Sequence, residues 1–257
     1  MDALIGHTGF VGGNLARQHH FEACFNTANI ETISGRAFDT LVFAGAQGKK
    51  WWANQNPEAD REGIRRALNA MRDVRARRVV LISSIDVLPM PAGVDETFDC
   101  AAIANQAYGA NRLWLEQEIR ARHPGAIVVR LPGLFGPGLR KNIVYDLLHD
   151  NMVDKIDPAA RFQFYDLSGL WDDILRAEAA GLKLIHFATE PVLTADIVDR
   201  FFPGAAVGAP PASGSLEYDV HTRHAAIFGA AGCYVQDRTE VMRRLGAFIA
   251  AERGDRA

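Results

Sequence analysis

Short apolar runs alternate with amphipathic segments along the first half of the chain. The apolar runs span three to seven residues, as expected for strands buried on both faces of a parallel sheet. Between most of them, apolar residues recur at the three- and four-residue spacing that is typical of helices. The predicted strands cover 3–5, 23–26, 40–46, 79–84 and 126–131, and the predicted helices cover 10–20, 57–74 and 106–122. This order predicts an α/β fold with a doubly wound parallel sheet.

A glycine-rich turn joins the first predicted strand to the first predicted helix. Gly6 can turn the chain sharply because glycine tolerates a positive φ. Gly9 would let a pyrophosphate approach the backbone at the helix N-terminus, and Gly12 would let the helix pack close to the sheet. The spacing G-x-x-G-x-x-G in this context predicts dinucleotide binding, whereas glycines alone would fit any tight turn. The predicted cofactor contacts in this turn are Gly6, Thr8, Gly9, Phe10, Val11 and Gly12.

The end of the second predicted strand does not reveal which dinucleotide binds. Folds that prefer NAD usually place an acidic residue there, whereas this chain has Asn26, Thr27 and Asn29. Arg36 follows too far along the chain to be assigned to a 2′-phosphate, so NAD and NADP both remain open. Residues 30–36 are too few for a full crossover helix, and we predict a single turn there.

Two features lie at the end of the third predicted strand and just after it. Ala44, Gly45 and Ala46 are small, so a cofactor could lie against their backbone. The predicted loop over 47–52 contains two lysines and two tryptophans, which would suit a substrate mouth that attracts phosphate. A packed surface loop with solvated lysines explains the same residues equally well. We take Trp51 as the substrate-binding candidate of this loop.

The pattern after residue 136 is less regular. Strands are predicted over 162–165 and 184–188, and helices over 141–149, 195–202 and 237–251, with a further helix capped by Asp166 or Ser168 and a fraying tail over 252–257. Thr194 and Asp237 are predicted helix caps. We predict a dinucleotide-binding Rossmann domain over 1–136 and an interleaved substrate-binding lobe over 137–257. Residues 160–189 are expected to return to the core sheet.

Composition and charge narrow the function. The chain has 257 residues, 48% of them hydrophobic, and a net charge of −3, which fits one or two globular domains and gives no reason to expect nucleic acid or an anionic membrane as a partner. No apolar run approaches the ~20 residues of a membrane span, and the first strand begins too early for a signal peptide. We therefore expect a cytoplasmic protein. Its oligomeric state is left open, with a homodimer as one option.

Metal binding is not predicted. Cys24, Cys100 and Cys233 are far apart and lack metal-ligand spacing, so free thiols in a reducing compartment are the simpler interpretation. His221 and His224 have no apparent third ligand and are interpreted as surface or packing residues.

Five motifs, in order, resemble those of the extended short-chain dehydrogenases/reductases, specifically the NAD-dependent epimerase/dehydratase group. Each is weak alone, but together they are fairly specific and extend over nearly the whole chain. They are Gly6-x-x-Gly9-x-x-Gly12, Ser83-Ser84-Ile85-Asp86-Val87, Tyr108-Gly109-x-x-Arg112, Leu134-Phe135-Gly136-Pro137-Gly138 and Tyr165-Asp166-Leu167. The resemblance implies NAD or NADP as cofactor and a nucleotide sugar as substrate.

The resemblance also implies roles. Tyr108 would be the general acid/base at a sugar hydroxyl or carbonyl, and Ser84 would hydrogen-bond the same oxygen. Either serine could do so, but aligning Val87 with the family's valine selects Ser84 and leaves Ser83 to the cofactor. Arg112 replaces the family's lysine, which both supplies positive charge and grips the nicotinamide ribose.

Three further residues receive roles from the resemblance. Pro132 would line the cofactor site. Asp86 would help to eliminate water, as an acidic residue does in the dehydratases, although a solvated turn carboxylate is the simpler interpretation. Asn142, beside two basic residues, would contact a substrate diphosphate, although a basic helix start is just as often merely solvated.

The predicted function is therefore reduction, epimerisation or dehydration of a nucleotide-linked sugar. The alternative is a cofactor-binding sensor or scaffold that no longer turns over, in which Arg112 would be a surface residue of a retired site. The presence of both Ser84 and Tyr108 favours the enzyme, since a non-catalytic binder needs neither.

Overall fold

The structure is a computed structural model, and it describes residues 1–254. The chain divides into two compact units. Among these residues, the first unit contains 1–90, 97–131 and 169–185, and the second contains 91–96, 132–168 and 186–254. The boundary after Leu131 lies a few residues before the one predicted at 136. Within the predicted returning segment, only residues 169–185 join the first unit.

The first unit is built on a six-stranded sheet, which confirms the predicted α/β doubly wound fold. The first five strands pair in parallel, and Leu4, for example, pairs with Cys24 on one side and with Val42 on the other. The sheet order is β2-β1-β3-β4-β5-β9. The strands are β1 Asp2–Ile5, β2 Ala23–Phe25, β3 Ala37–Phe43, β4 Arg75–Ser84, β5 Ile127–Leu131 and β9 Leu184–His186.

Helices of the first unit bury their apolar stripes against the sheet. The side chains of Leu41, Phe43 and Leu81 from the strands form one core with Leu68 and Leu115 from the helices. This burial explains why the strands appear as continuous apolar runs. The helices are α1 Phe10–Gln18, α2 Lys50–Gln55, α3 Pro57–Ala70, α4 Ala107–Arg122 and α6 Leu170–Ala179.

The strand order reverses at β1. From β1 the chain passes to β2 on one side, and from there it returns to β3 on the other side. The connection from β2 to β3 contains only the short 3-10 helix Ile30–Ile33, so the predicted single turn is confirmed. Ligands of open α/β sheets bind beyond the carboxyl ends of the strands at such a switch point. The residues after β1 and β3 therefore define the expected binding edge.

The second unit has its own small core. Val144, Ile197, Val241 and Leu245 are buried together within it. Its strands are β6 Gly133–Phe135, β7 Arg161–Phe162, β8 Phe164–Asp166 and β10 Val192–Leu193, and its helices are α5 Ile143–His149, α7 Thr194–Phe201 and α8 Arg238–Gly254. β6 pairs with β8 in parallel, and β7 pairs with β10 antiparallel.

Several local predictions need correction. The predicted loop over 47–52 is helical from Lys50 onward, and the single strand predicted over 162–165 is interrupted at Gln163. At Gln163 the chain passes from β7, which pairs with β10, to β8, which pairs with β6. The Gln163 side chain binds the Thr189 and Val220 carbonyls and the Val220 N–H.

The other predicted helix caps have mixed outcomes. Asp166 accepts the Ser168 N–H at 2.9 Å and so caps the 3-10 helix Leu167–Gly169, which leads directly into α6 at Leu170. Ser168 lies within this 3-10 helix instead of capping it. Thr194 lies inside α7 and donates its hydroxyl to the Ala160 carbonyl instead. Asp237 does accept the N–H of Glu240, as predicted. α8 continues to Gly254, so 252–254 are helical, and the rest of the predicted fraying tail lies outside the described residues.

Candidate active site

The glycine turn after β1 is shaped by close backbone contacts. Gly6 has a φ of +90°, and its N–H donates to the Phe25 carbonyl at 2.7 Å. A Cβ on Gly6 would lie 2.4 Å from the Ala44 oxygen, which no real side chain tolerates. A Cβ on Gly12 would lie 2.1 Å from the Gly6 oxygen. Both glycines are therefore required for α1 and the end of β3 to approach the turn.

Gly9 differs from the other two glycines because its open side faces solvent. A Cβ there would meet the Gly6 oxygen at 3.2 Å and nothing else within 4 Å. Gly9 is the N-cap residue of α1 and supplies no side-chain cap, so the first N–H groups of the helix point at open space next to exposed Thr8. Phe10 and Val11 in the first turn are half-buried. This cradle fits the pyrophosphate of a dinucleotide, which would accept hydrogen bonds at the helix N-terminus.

The small residues after β3 lie beside the glycine turn. A Cβ on Gly6 would come within 2.7 Å of both the Ala44 carbonyl carbon and the Gly45 Cα. Gly45 is exposed, whereas Ala44 and Ala46 are half-buried. The structure thus brings the predicted cofactor residues 6–12 and 44–46 together at the switch point of the sheet.

At the end of β2, where the adenosine ribose of a dinucleotide would bind, the asparagine side chains bond to the local backbone. The Asn29 side chain accepts the Asn26 N–H at 2.7 Å and donates to the Cys24 carbonyl. The Arg36 guanidinium packs over the rings of Phe25 and Phe38.

The two serines at the end of β4 have different partners. Ser83 is buried, and its hydroxyl donates to Glu116 Oε1 at 2.6 Å, while Arg130 binds both oxygens of the same carboxylate. Ser84 is half-exposed, and its hydroxyl accepts the N–H of Asp86 at 3.1 Å, which caps the 3-10 helix Ile85–Val87. Ser84 is therefore the better placed of the two to meet a substrate.

Tyr108 and Arg112 share one face of α4, one helical turn apart. The Arg112 guanidinium lies 4.0 Å from the centre of the Tyr108 ring and is paired with Asp60, whose carboxylate also accepts from Asn111. Arg112 also donates to the Gln47 carbonyl. Only 2% of Arg112 is exposed. Arg112 is therefore not the surface residue that the retired-site alternative assumed.

Burial raises the pKa of the Tyr108 phenol above its usual value near 10. The positive charges of Arg112 and Lys50 oppose this shift, and the negative charges of Asp86 and Asp60 add to it. The phenol is consequently protonated at neutral pH in the protein by itself, which is the state of a proton donor.

Three contacts hold the start of α4 against neighbouring segments. Asn105 donates its amide to the Asp86 carbonyl at 2.9 Å, and Gly109 approaches the same carbonyl so closely that a Cβ would lie 2.2 Å from it. The Tyr108 N–H donates to the Asn54 side chain from α2. Tyr108 is therefore fixed between α2 and the turn that follows Ser84.

Asp86 is not the solvated turn residue of the simpler interpretation. Its Oδ1 accepts from Lys50 Nζ at 2.7 Å, and the two side chains are 22% and 39% exposed. The adjacent Trp51 is 63% exposed on α2.

Pro132 and Asn142 lie in the second unit. Pro132 is buried and is the first residue of the segment 132–168 of that unit. Asn142 has a φ of +101°, and its side-chain oxygen accepts the N–H groups of Val144 and Tyr145 while its amide donates to the Leu134 carbonyl. Asn142 is thus the N-cap of α5, and its contact with substrate remains a prediction.

Sequence reasoning missed several supporting residues. Asp60, Asn54 and Asn105 lack a local signal, because their partners are 18 to 54 residues away in the chain. Arg130 did give a signal, since a charged residue inside the apolar run of β5 needs a buried partner such as Glu116. Across residues 1–254 we find neither a three-residue metal cluster nor a helix long and apolar enough to cross a membrane.

The sequence profile of the NAD dependent epimerase/dehydratase family matches residues 17–159, which is more than half of the chain. This range contains the serine motif, Tyr108 and Arg112. It begins after the glycine turn, whose assignment therefore rests on its geometry. No curated protein sequence matches the chain significantly.

Solved structures with the same fold extend over the whole chain at low sequence identity. A dTDP-glucose 4,6-dehydratase double mutant from Streptomyces venezuelae with NAD bound has a TM-score of 0.75 and 15% identity, covering 99% of this chain and 98% of that one. A dTDP-4-dehydrorhamnose reductase from Yersinia enterocolitica has a TM-score of 0.71 and 13% identity, and the match covers 97% of this chain and 98% of that one. A UDP-glucose 4-epimerase from Thermotoga maritima with UDP-glucose has a TM-score of 0.71 and 12% identity, and the match covers 100% of each chain. These similarities confirm the fold.

Proposed function

Since the chain belongs to the NAD-dependent epimerase/dehydratase family, we propose that it reduces, epimerises or dehydrates a nucleotide-linked sugar, with Tyr108 as the proton-transfer residue. The chain is an enzyme of this family, and its cofactor is NAD or NADP. The observation that carries the proposal is the buried Tyr108, stacked on Arg112 and held against the turn that begins at Ser84.

The cofactor would be held at the switch point of the sheet. The N–H groups at the start of α1 would bind its pyrophosphate, and the small residues after β3 would let it lie against the backbone. When bound, the nicotinamide supplies a hydride donor or acceptor. The chain itself must bind the sugar and move the proton.

Tyr108 is suited to that proton transfer. Its phenol holds a proton at neutral pH because burial raises its pKa, so it can donate to a carbonyl oxygen that gains negative charge. The Ser84 hydroxyl would hydrogen-bond the same oxygen.

The substrate class follows from the family and from what related folds act on. The structures with the same fold are named for dTDP- and UDP-linked sugars. A nucleotide diphosphate carries two charges or more, and basic residues at the start of α5, Arg140 and Lys141, are available in the second unit to attract it.

The experiment is turnover of a panel of dTDP- and UDP-linked sugars with NAD(H) and NADP(H), for the parent and Tyr108→Phe. Loss of the hydroxyl should lower the rate by about 10²–10⁴-fold while cofactor affinity is kept. Tyr145→Phe is the matched control, because this tyrosine stacks on His149 in α5 and should leave the rate unchanged. Full turnover in Tyr108→Phe would show that the assignment is wrong. Tight cofactor binding without turnover of any sugar would support the retired sensor.

A further inference from the structure

A lysine–aspartate pair lies beside Tyr108, and the proposed proton transfer has not yet used it. Lys50 is the first residue of α2, whereas Asp86 lies in the 3-10 helix that follows β4. Their side chains meet at 2.7 Å although they are 36 residues apart. Both segments also contact the start of α4, through Asn54 on one side and the Asp86 carbonyl on the other. The pair therefore connects the two segments that hold Tyr108.

The Asp86 carboxylate lies between Lys50 and Ser84. Oδ1 accepts from Lys50 Nζ, and the Ser84 hydroxyl lies 3.4 Å from Oδ2. The backbone of Asp86 is held by its own N–H, which donates to the Ser84 hydroxyl. An ammonium on one oxygen helps to orient the carboxylate, because a charge-assisted hydrogen bond is stronger than a neutral one. Lys50 therefore contributes to the orientation of the Asp86 carboxylate beside the Ser84 hydroxyl.

Charged groups reach Tyr108 from four elements. They are Arg112 on its own helix, Asp60 on α3, Lys50 on α2 and Asp86 after β4. Arg112 and Asp60 form a buried ion pair and act on the phenol in opposite directions, with the larger effect coming from Arg112. Lys50 and Asp86 form the second pair, which is partly exposed and lies near Ser84. Lys50 lowers the pKa of Tyr108, and Asp86 raises it.

We propose that Lys50 is a positioning residue for the proton transfer at Tyr108, because it holds the Asp86 carboxylate near Ser84 and offsets its negative charge at the phenol. This proposal rests on the proposed role of Tyr108. It gives the basic segment after β3 a purpose inside the active site and does not require Lys50 to bind phosphate.

Opposite shifts in the pH profile of kcat/KM test this proposal. Lys50→Met removes a positive charge that lowers the pKa of Tyr108, so the apparent pKa that reports Tyr108 should move up. Asp86→Asn removes a negative charge that raises it, so the same pKa should move down. Lys50→Met should also lower kcat roughly tenfold to 100-fold, because the groups near the reacting oxygen lose their alignment. Lys50→Arg keeps the charge and should restore the parent profile.

Lys155→Met is the matched control. It removes a lysine that pairs with Asp154 at 3.0 Å on the surface of the second unit, so the profile should stay unchanged. Carbon-13 NMR of labelled tyrosine rings, with the Tyr108 signal identified by its loss in Tyr108→Phe, should show the same two opposite shifts without any substrate.

The outcomes separate this proposal from the proposed function. Full turnover in Tyr108→Phe would overturn both. If Tyr108→Phe loses turnover while Lys50→Met and Asp86→Asn keep the parent pH profile and NMR titration, only the role of Lys50 is wrong. Shifts in the same direction for both variants would also overturn it, because they would indicate a general loss of structure.

Discussion

Arg112 shows how one side chain can serve both stability and the site. Its planar guanidinium stacks on the Tyr108 ring and at the same time binds the Asp60 carboxylate and the Gln47 carbonyl. A lysine ammonium is a compact point charge and could not make the same set of contacts. The arginine is therefore part of the packed interior of the first unit.

Removing Arg112 should destabilise the fold strongly. Arg112→Met leaves the buried Asp60 carboxylate without its ion-pair partner, and the expected loss is about 3–5 kcal/mol in the free energy of unfolding. Arg122→Met on the same helix breaks an exposed pair with Glu118 and one hydrogen bond to the Leu68 carbonyl, and it should cost only about 1–2 kcal/mol. Urea unfolding of both variants gives the comparison. Equal losses would show that burial of the Arg112 pair has no energetic consequence.

Gly9 tests the cofactor cradle. Gly9→Val places a branched side chain on the open side of the turn, where the phosphates would approach, so affinity for NAD and NADP should fall while the fold is kept. The control is Gly63→Ala in α3, where a Cβ has open space, and we expect unchanged cofactor affinity with up to about 1 kcal/mol more stability. Calorimetric titration measures the affinities. Parent-like affinity in folded Gly9→Val would contradict the cradle assignment.

Helix starts are the elements that organise this protein. α1 begins without a side-chain cap, and we predict that its N–H groups bind the cofactor, whereas α5 begins with the Asn142 side chain on its own N–H groups. α4 begins against the Asp86 carbonyl through Asn105 and Gly109, and so fixes Tyr108 one residue after its N-terminus. The ends of helices, more than their lengths, therefore decide where chemistry can occur.

Asn142 separates a capping role from a binding role. Asn142→Ala should cost about 1 kcal/mol or more, because it removes the cap and places alanine at a φ of +101°. Glycine tolerates this φ, so Asn142→Gly should lower the free energy of unfolding by only a few tenths of a kcal/mol. If Asn142 also touches substrate, KM should rise equally in both variants. If it is only a cap, KM in the glycine variant should match the parent, and steady-state kinetics beside urea unfolding distinguish the two cases.

At the scale of the whole molecule, neither unit is a continuous stretch of sequence. The first unit needs residues 169–185, which include α6, and the second needs 91–96. Acid-sensitive contacts occur in both units. A hydrogen bond from the N-terminal ammonium lowers the pKa of Asp39, and hydrogen bonds from Arg243 and Arg244 lower the pKa of Glu240 to about 2.

The lowered pKa of Glu240 predicts a loss of stability in acid. A carboxyl whose pKa is lower in the folded protein stabilises it above the unfolded value of 4.5, and this contribution disappears as the pH falls to about 2. Glu240→Gln should therefore be less stable than the parent at pH 7 and should approach it near pH 2. Glu62→Gln, in an exposed pair with Arg65, is the control. Thermal unfolding across this pH range checks the prediction, and a constant difference would contradict it.

The sequence was sufficient for features that depend on local patterning. Buried strands appear as apolar runs because both faces are covered, and Gly6 could be assigned to a turn because only glycine tolerates its φ of +90°. The short connection between β2 and β3 was also predictable, since seven residues cannot form a crossover helix. The predicted elements were wrong at residues whose polar side chains bond to partners distant in the sequence, as at Thr194 and Gln163.

By itself, then, the sequence determined the class of fold, the position of the glycine turn and the candidate residues Ser84 and Tyr108. Only the tertiary structure decided which charges meet: Arg112 with Asp60, Lys50 with Asp86, and Arg130 with Glu116. The physical reason is that hydrophobic periodicity reports which face of an element is buried, whereas ion pairs between elements depend on sheet order and on where each helix starts. The first two of those pairs place charges near Tyr108, which the local sequence pattern did not predict.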